Sequence, residues 1–435
     1  MDIFRSVSLF SGAGFGDIGF QAAGLTPVLL AEIDGRRAQL AQLSFPTASV
    51  LVTDVLKANV QIADIAKNLL DREELFLLSA TPPCQGMSKN GIGTLLRSKE
   101  RGFRPKVDPR NRLYLPVLEL AKSLRPRWVF FENVCRMMNT YDVGVDGRSH
   151  RLPDIMEERL RDLGYAGRFE QVQLADYGLP QTRLRTVGIF RLSSSRHNGG
   201  YLPPTTHCQN GSATKLPWVT LRRAIGHLPP IDSKSRKDAA SDFHPLHRVP
   251  VWRRELYAWM AATPEGCSAL DNSKCESCGF TGGPADVTCG YCGRQLPRPS
   301  VVREGARRLI KGFPSAYKRM KWDKPASTVT TRSAYACSDH KVHPDQNRVL
   351  STLEVALIQG IDPNLLACPV DGRAAAYDTL LRDVIGECVP PLFARVVGRH
   401  ILALEAGEAI GRTEEEQLPL FQPVPSLAAA AASDS

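Results

Sequence analysis

The sequence has no run of roughly 18 uncharged apolar residues, the least a membrane-spanning helix needs, so no membrane partner is expected. It also has no apolar stretch behind a basic start. Met1 to Leu9 carries Asp2 and Arg5 and reads directly into a strand, so no secretory signal is read there and a cytoplasmic location is expected. No internal repeat is present, which excludes solenoids and propellers. Eleven cysteines are spread through varied contexts and only four are clustered, so they do not form the framework of a small disulfide-stapled domain. They read as thiols or metal ligands. Apolar residues at 43% and charged residues at 23% exclude wholesale disorder and collagen-like chains. What remains is a globular chain of 435 residues, long enough for two or three domains.

The formal net charge is +10, and its placement says more than its sum. Arg191 to Arg332 holds 23 Lys/Arg against 10 Asp/Glu, whereas the rest of the chain holds 32 against 35. The whole excess lies in one central block. Such a block is the electrostatic footprint of a polyanion partner, most often nucleic acid, or else a solvated basic surface.

The first 190 residues alternate short apolar runs with helical patterns. Strands are expected at Ser6–Phe10, Pro27–Ile33, Val50–Val52, Leu75–Ser79, Arg127–Phe131 and Thr186–Phe190, with a helix over Gly35–Leu43. Strands separated by helices predict an α/β fold, a parallel sheet covered on both faces. Ligands bind such sheets at the carboxyl ends of the strands. The polar clusters at 11–17, 32–34, 81–88 and 132–134 each follow a strand, so they should converge on one crevice. From about residue 192 Pro and Gly break the pattern. Alternation resumes near Ala326, with a strand expected at Thr328–Thr331 and helices at Ser351–Gln359 and Pro391–Leu404. The resulting division is 1–191 as core, 192–325 as a basic recognition domain, 326–408 as a return to the core and 409–435 as a tail.

Four clusters carry the chemistry. Phe10-Ser11-Gly12-Ala13-Gly14 is a Gly-rich turn that lets backbone approach a nucleotide-like ligand. Glu32 closes the second strand and Asp54 follows the third, where carboxylates commonly meet ribose hydroxyls or simply lie at the surface. Pro82-Pro83-Cys84-Gln85 places a thiol on a stiff loop, followed by a basic segment that favours the thiolate. Cys84 is therefore a nucleophile or a structural thiol. Glu132-Asn133-Val134 follows the apolar Trp128 to Phe131, where a carboxyl can hold a proton or cap a helix. Gln181-Thr182-Arg183-Leu184-Arg185 puts two guanidinium groups on one face of a strand, suited to anions or carboxylates.

These clusters, in this order, resemble the DNA (cytosine-5)-methyltransferase family over roughly residues 5–190 and again over 324–405. Asp108-Pro109-Arg110-Asn111, Arg348 to Gly360 (with Glu354 and Gln359) and Gly386 to Leu392 also fit the family's motifs. Phe15, Met87 and Glu387 depart from it, the last on the cofactor side. The resemblance implies a Rossmann-like sheet that binds S-adenosylmethionine and acts on a cytosine swung out of duplex DNA. It implies Cys84 as the nucleophile at carbon 6 and Glu132 as holder of ring nitrogen 3. Arg183 would lie near the thiolate and Arg185 would orient that edge. Phe10, Gly12, Gly14, Glu32, Ile33 and Asp54 fall where the family binds its cofactor, with Pro82 at the edge. The resemblance further implies a bacterial enzyme that marks self DNA beside a separate restriction or defence system, or a solitary epigenetic enzyme, acting as a monomer on DNA.

A fifth cluster lies outside that resemblance. Cys275-x-x-Cys278 and Cys289-x-x-Cys292 are ten residues apart, and Gly279 and Gly293 follow the pairs. The spacing suits a structural zinc ribbon over 275–292, inside the basic block, with four thiolates leaving no open position for water. His244 and His247 have no ligand partners at metal spacing, and Trp218, Trp252, Trp259 and Trp322 read as the small core of the recognition block. Three other readings are an RNA substrate, a non-catalytic DNA-binding protein on a decayed methyltransferase, and a nicotinamide-dependent oxidoreductase. The large zinc-bearing insertion weighs against the first and the intact Cys84, Glu132, Arg183 and Arg185 against the second. The third gives Pro-Pro-Cys no task.

Overall fold

The computed structural model describes residues 3–83, 112–143, 148–193, 200–310, 312–338, 340–366 and 374–407. The chain divides into two compact units. One is made of Met1–Tyr177, Leu184–Thr206 and Cys388–Glu414, and the other includes Gly178–Arg183 and His207–Glu387. The chain re-enters the first unit at Cys388.

The first unit is built on β1 (Phe4–Leu9), β2 (Leu25–Glu32), β3 (Ser49–Val52), β4 (Leu77–Ala80) and β5 (Trp128–Val134). A small hairpin follows, β6 (Tyr141–Val143) and β7 (Ser149–Arg151), then β8 (Tyr165–Gln173). After β9 (Gln181–Thr182), which lies in the second unit, β10 (Leu184–Leu192) returns to the sheet. The seven-stranded order is β3-β2-β1-β4-β5-β10-β8. β1 to β5 run parallel, as expected, but β10 is antiparallel to both β5 and β8.

Period two sorts the side chains onto two covered faces. Val7, Leu9, Leu29 and Ala31 join one core cluster with Val55, Ile62, Val117 and Ile155. Leu30 points the other way, onto Ala41 and Phe45. β5 reads as an unbroken apolar run because both its faces are covered: Trp128 to Phe131 are all buried. β8 was not expected because it lies at the sheet edge and its mixed sequence YAGRFEQVQ has only a loose apolar alternation. Its Gly167 is needed there, since a Cβ would lie 2.2 Å from the Ile189 carbonyl oxygen.

Three helices fix the strand ends. α1 (Phe15–Ala22) leaves directly from the Gly turn. α2 (Gly35–Ser44) and α3 (Val55–Leu70) start at Asp34 and Asp54, whose side chains accept from the backbone N–H of Arg36 and Leu56. The helix Pro391–Ala406 packs closely on α1, and a Cβ at Gly19 would lie 2.1 Å from the Pro391 carbonyl oxygen.

The second unit has little regular structure. Three two-residue or four-residue strand pairs (207–208 with 216–217, 300–303 with 306–309, 326–327 with β9) accompany helices at Leu221–Ile225, Arg254–Ala261, Thr352–Gln359 and Ala374–Glu387. The strand expected at Thr328–Thr331 is replaced by the Ala326–Ser327 pairing with Gln181–Thr182. Trp252 and Trp259 pack with Met260, Val342 and Val349 as a small core, and Trp322 is buried edge-on to His343. No described helix is long and apolar enough to cross a membrane.

Candidate active site

In the first unit the strand order reverses between β1 and β4, the place where parallel α/β sheets open a ligand crevice. The segments flanking that point are tied together. Thr81, just past β4, donates its hydroxyl to the Phe10 carbonyl (3.0 Å). Asn133, near the end of β5, donates its amide to the Pro82 carbonyl (3.0 Å) and accepts from the Val134 N–H (2.8 Å). The chain two and three residues before position 84 is thus anchored, through Pro82 to the Glu132 strand and through Thr81 to the Gly turn. Cys84 itself, and the basic segment after it, lie outside the described residues.

Glu132 lies within β5 rather than after it, so it is a sheet residue and not a helix cap. Its carboxylate is buried and forms an ion pair with Arg185 Nε on the neighbouring β10 (2.9 Å). The antiparallel register brings this about, since Arg185 stands opposite Val134 and Val187 opposite Glu132. A buried carboxylate held by a guanidinium at a strand end is oriented and has little water around it, which suits accepting a hydrogen bond from a ligand.

Arg183 does not share a strand face with Arg185, because the chain crosses between units at Arg183–Leu184. It is fully buried in the second unit. Nη1 donates to the Val329 carbonyl (3.0 Å), and both Nη1 and Nη2 reach the Gly386 carbonyl (3.2 Å each). Gly386 is required by this packing, since a Cβ would meet the Thr330–Thr331 peptide at 2.4 Å. Gln181 adds to the same lattice, donating to Gln359 Oε1 (2.7 Å) and accepting from the Val329 N–H (2.7 Å). Arg348 and Glu354 form a buried bidentate pair (2.6 and 2.7 Å). Burial opposes charge on Glu354, yet the Arg348 guanidinium holds its carboxyl down at about 2. The side chain of His247 is also internal, bonded to Ser351 Oγ and the Pro229 carbonyl.

The expected cofactor residues of the first unit line the ends of β1 to β3. Phe10, Gly12 and Gly14 all adopt the left-handed region (φ 58°, 57° and 75°), so the chain turns sharply out of β1. A Cβ at Gly12 would meet nothing within 4 Å, whereas one at Gly14 would strike the Phe45 ring at 2.7 Å. Glu32 is buried, and its carboxylate accepts from the N–H groups of Gly12, Ile33 and Asp34, each at 2.9 Å. It therefore locks the Gly turn to the end of β2. Ile33 is two-thirds exposed. Asp54 spends one oxygen on capping α3. Open space at Gly12, a fixed carboxylate at the β2 end and an exposed apolar side chain beside it fit the edge of a nucleoside and its ribose. Thr81 and Asn133 lie in clusters that the sequence singles out, but their bonds to Phe10 and Pro82, and the packing of Phe45 under the Gly turn, join distant segments and are not legible there. Asp17 lies just past the Gly turn. It is buried in the first turn of α1, and burial pushes its carboxyl up to about 7 against the opposing effect of the Ser8 hydroxyl.

In the second unit Cys275, Cys278, Cys289 and Cys292 bring their sulfurs within 4.8 Å of one another. Two of the Sγ–Sγ distances are 3.6 and 3.5 Å, near the ~3.8 Å edge of a tetrahedron with Zn–S bonds of about 2.3 Å. The two loops are built alike. Lys274 bridges Thr281 and Thr288 bridges Gln295, with Gly279 and Gly293 left-handed at φ 76° and 72°. The backbone N–H groups of Ser277 and Cys278 are directed at the Cys275 sulfur and favour its thiolate, the form that ligates zinc. The donor set fits a structural zinc ion.

The family described as C-5 cytosine-specific DNA methylase matches residues 4–403. Type II methyltransferase M1.HgaI of Avibacterium volantium is 28% identical over 409 residues, spanning 91% of this chain and 97% of its own. Type II methyltransferase M1.HphI of Haemophilus parahaemolyticus is 25% identical over 407 residues, spanning 92% and 87%. A solved structure of a putative DNA modification methyltransferase encoded within an E. coli prophage superposes with a TM-score of 0.58. It covers 93% of this chain and 99% of that one at 17% identity, a likeness of fold.

Proposed function

Because the chain belongs to the C-5 cytosine-specific DNA methylase family, we propose that Cys84, Glu132, Arg185 and Arg183 are the residues through which it works. The activity is that of a DNA (cytosine-5)-methyltransferase dependent on S-adenosylmethionine. Bound at the ends of β1 to β3, that cofactor supplies the methyl group as an electrophile. Phe10, Gly12, Gly14, Glu32, Ile33 and Asp54 would hold it, with Pro82 at the margin.

The chemistry asks the protein for covalent activation, because carbon 5 of cytosine is too electron-poor to be alkylated directly. The Cys84 thiolate adds to carbon 6 of the extruded ring. Glu132 holds the proton at ring nitrogen 3 that makes this addition favourable, and electron density moves to carbon 5. After carbon 5 is methylated, loss of its proton expels Cys84 and restores the aromatic ring. Arg185 orients the Glu132 carboxylate. Arg183 is a positioning residue that ties the Val329 and Gly386 backbones together.

The observation that supports this reading is the double tether of the segment before Cys84. The Thr81–Phe10 bond binds it to the Gly turn and the Asn133–Pro82 bond to the strand of Glu132. Its curated relatives are type II methyltransferases, which supports a role in marking self DNA, separate from any nuclease. A monomer acting on duplex DNA in the cytoplasm completes the reading. Cys84→Ser should abolish methyl transfer while leaving duplex binding within a modest factor. A duplex carrying 5-fluorocytosine should trap a covalent adduct, since fluorine does not leave as a proton. Turnover by Cys84→Ser, or an active enzyme that forms no adduct, would remove Cys84 from this role.

A further inference from the structure

Eight residues after the last ribbon cysteine, Cys292, a hairpin of unusual exposure begins at Ser300. Ser300–Arg303 pairs with Ala306–Leu309, and Glu304 and Gly305 make the turn with φ of 53° and 76°. Two positive φ values in a two-residue loop are the signature of a tight twisted hairpin. Every residue from 301 to 308 is exposed, Val301 and Val302 among them at 37% and 56%. An isolated two-stranded hairpin is marginal in water. This one is held at its base. Arg307 Nη1 and Gln295 Nε2 both donate to Ser300 Oγ (3.2 and 3.3 Å), and the Ile310 N–H donates to the Pro299 carbonyl (2.9 Å). Just below, buried Arg298 donates to the carbonyls of Gly283 (3.1 Å), Asp286 (2.9 Å) and Leu270, clamping the base of the four-cysteine ribbon.

The hairpin projects charge of one sign. Arg303, Arg307 and Arg308 outnumber Glu304, which meets Arg308 only in an exposed pair at 3.6 Å. Directly opposed residues share a face, so Val301, Arg303, Ala306 and Arg308 lie on one side. Arg307 lies on the other, committed to Ser300. One face therefore offers two guanidinium forks and small apolar groups on a two-stranded ribbon. The major groove of B-DNA admits such a ribbon, guanine offers two acceptors to an arginine fork, and the thymine methyl offers an apolar contact.

We propose that the Ser300–Leu309 hairpin is a major-groove reading arm, with Arg303 and Arg308 contacting base edges and the zinc ribbon serving as its rigid mount. This rests on the reading of the protein as a DNA methyltransferase. The test uses the full-length, zinc-loaded chain. Bisulfite sequencing of a host expressing it first gives the methylated sequence. A duplex bearing that sequence is then probed with dimethyl sulfate, which reports guanine N7 in the major groove, beside kinetics on single-base variants of the site.

Arg303→Ala/Arg308→Ala should lose roughly 10- to 100-fold discrimination at one or two base pairs and the N7 protection there. The loss should fall on KM for DNA. Arg303→Lys/Arg308→Lys, which keeps charge but not the fork, should keep the salt dependence and still lose discrimination. Zinc content of one ion per chain in each variant shows that the mount is intact. An unchanged methylated sequence with unchanged N7 protection would overturn the proposal. So would a uniform weakening at all sequences with a shallower salt slope, because that outcome means phosphate contact alone. A wild-type enzyme that methylates no cytosine would instead overturn the methyltransferase reading on which the proposal stands.

Discussion

Asp17 offers a test of the energetics around the Gly turn. Its carboxyl is buried at the start of α1, and burial raises it from 3.8 to about 7. A group whose folded value lies above its unfolded one contributes most below the unfolded value. Here that contribution is complete below about pH 4. It falls between pH 4 and 7, where the unfolded chain has ionised and the folded chain has not, and is gone above pH 7. The difference between 3.8 and about 7 corresponds to about 4 kcal/mol of stability lost across that window. Asp17→Asn removes the ionisation and keeps the shape. The measurement is the denaturant midpoint of both proteins at pH 5 and pH 8. The variant should lack the part of the wild-type decline due to this group, and so gain relative to wild type as pH rises. If the two proteins fall in parallel from pH 5 to pH 8, Asp17 is ionised in the fold and the reasoning is refuted.

The Glu132–Arg185 pair should behave as a coupled unit. Arg185→Met leaves a buried carboxylate without its cation and should cost about 3–5 kcal/mol, and Glu132→Gln in the same chain should recover much of that. A double-mutant cycle by urea unfolding checks it, and additive losses would mean that the pair carries no coupling. For the four-cysteine site, metal analysis of purified protein should give one zinc per chain, lost in Cys289→Ser. Chelation should then expose the 272–296 segment to protease, because folding of such a segment depends on its metal. Full protection after complete removal of zinc would show that the thiols need no ion.

Much of the first unit could be read along the chain, because its signals are local. Apolar runs such as Trp128 to Phe131 mark strands buried on both faces, the Gly turn at Gly12 and Gly14 needs left-handed backbone, and Asp34 and Asp54 cap the helices that follow them. Two thiol pairs with glycines at fixed offsets likewise announce a metal site before any contact is known. Tertiary structure decided what depends on residues far apart. It made β10 antiparallel, and that register, not the i, i+2 spacing of the arginines, brings Arg185 to Glu132. It sent Arg183 into the other unit, where two carbonyls from residues about 150 and 200 positions away receive its guanidinium. It gave Glu32 three backbone donors, one of them on the turn after β1, and tied Pro82 to Asn133. Periodicity and capping are properties of neighbouring residues and leave a trace in the sequence. Strand register and the partners of a buried charge are set by which segments meet, and no short window of sequence encodes that.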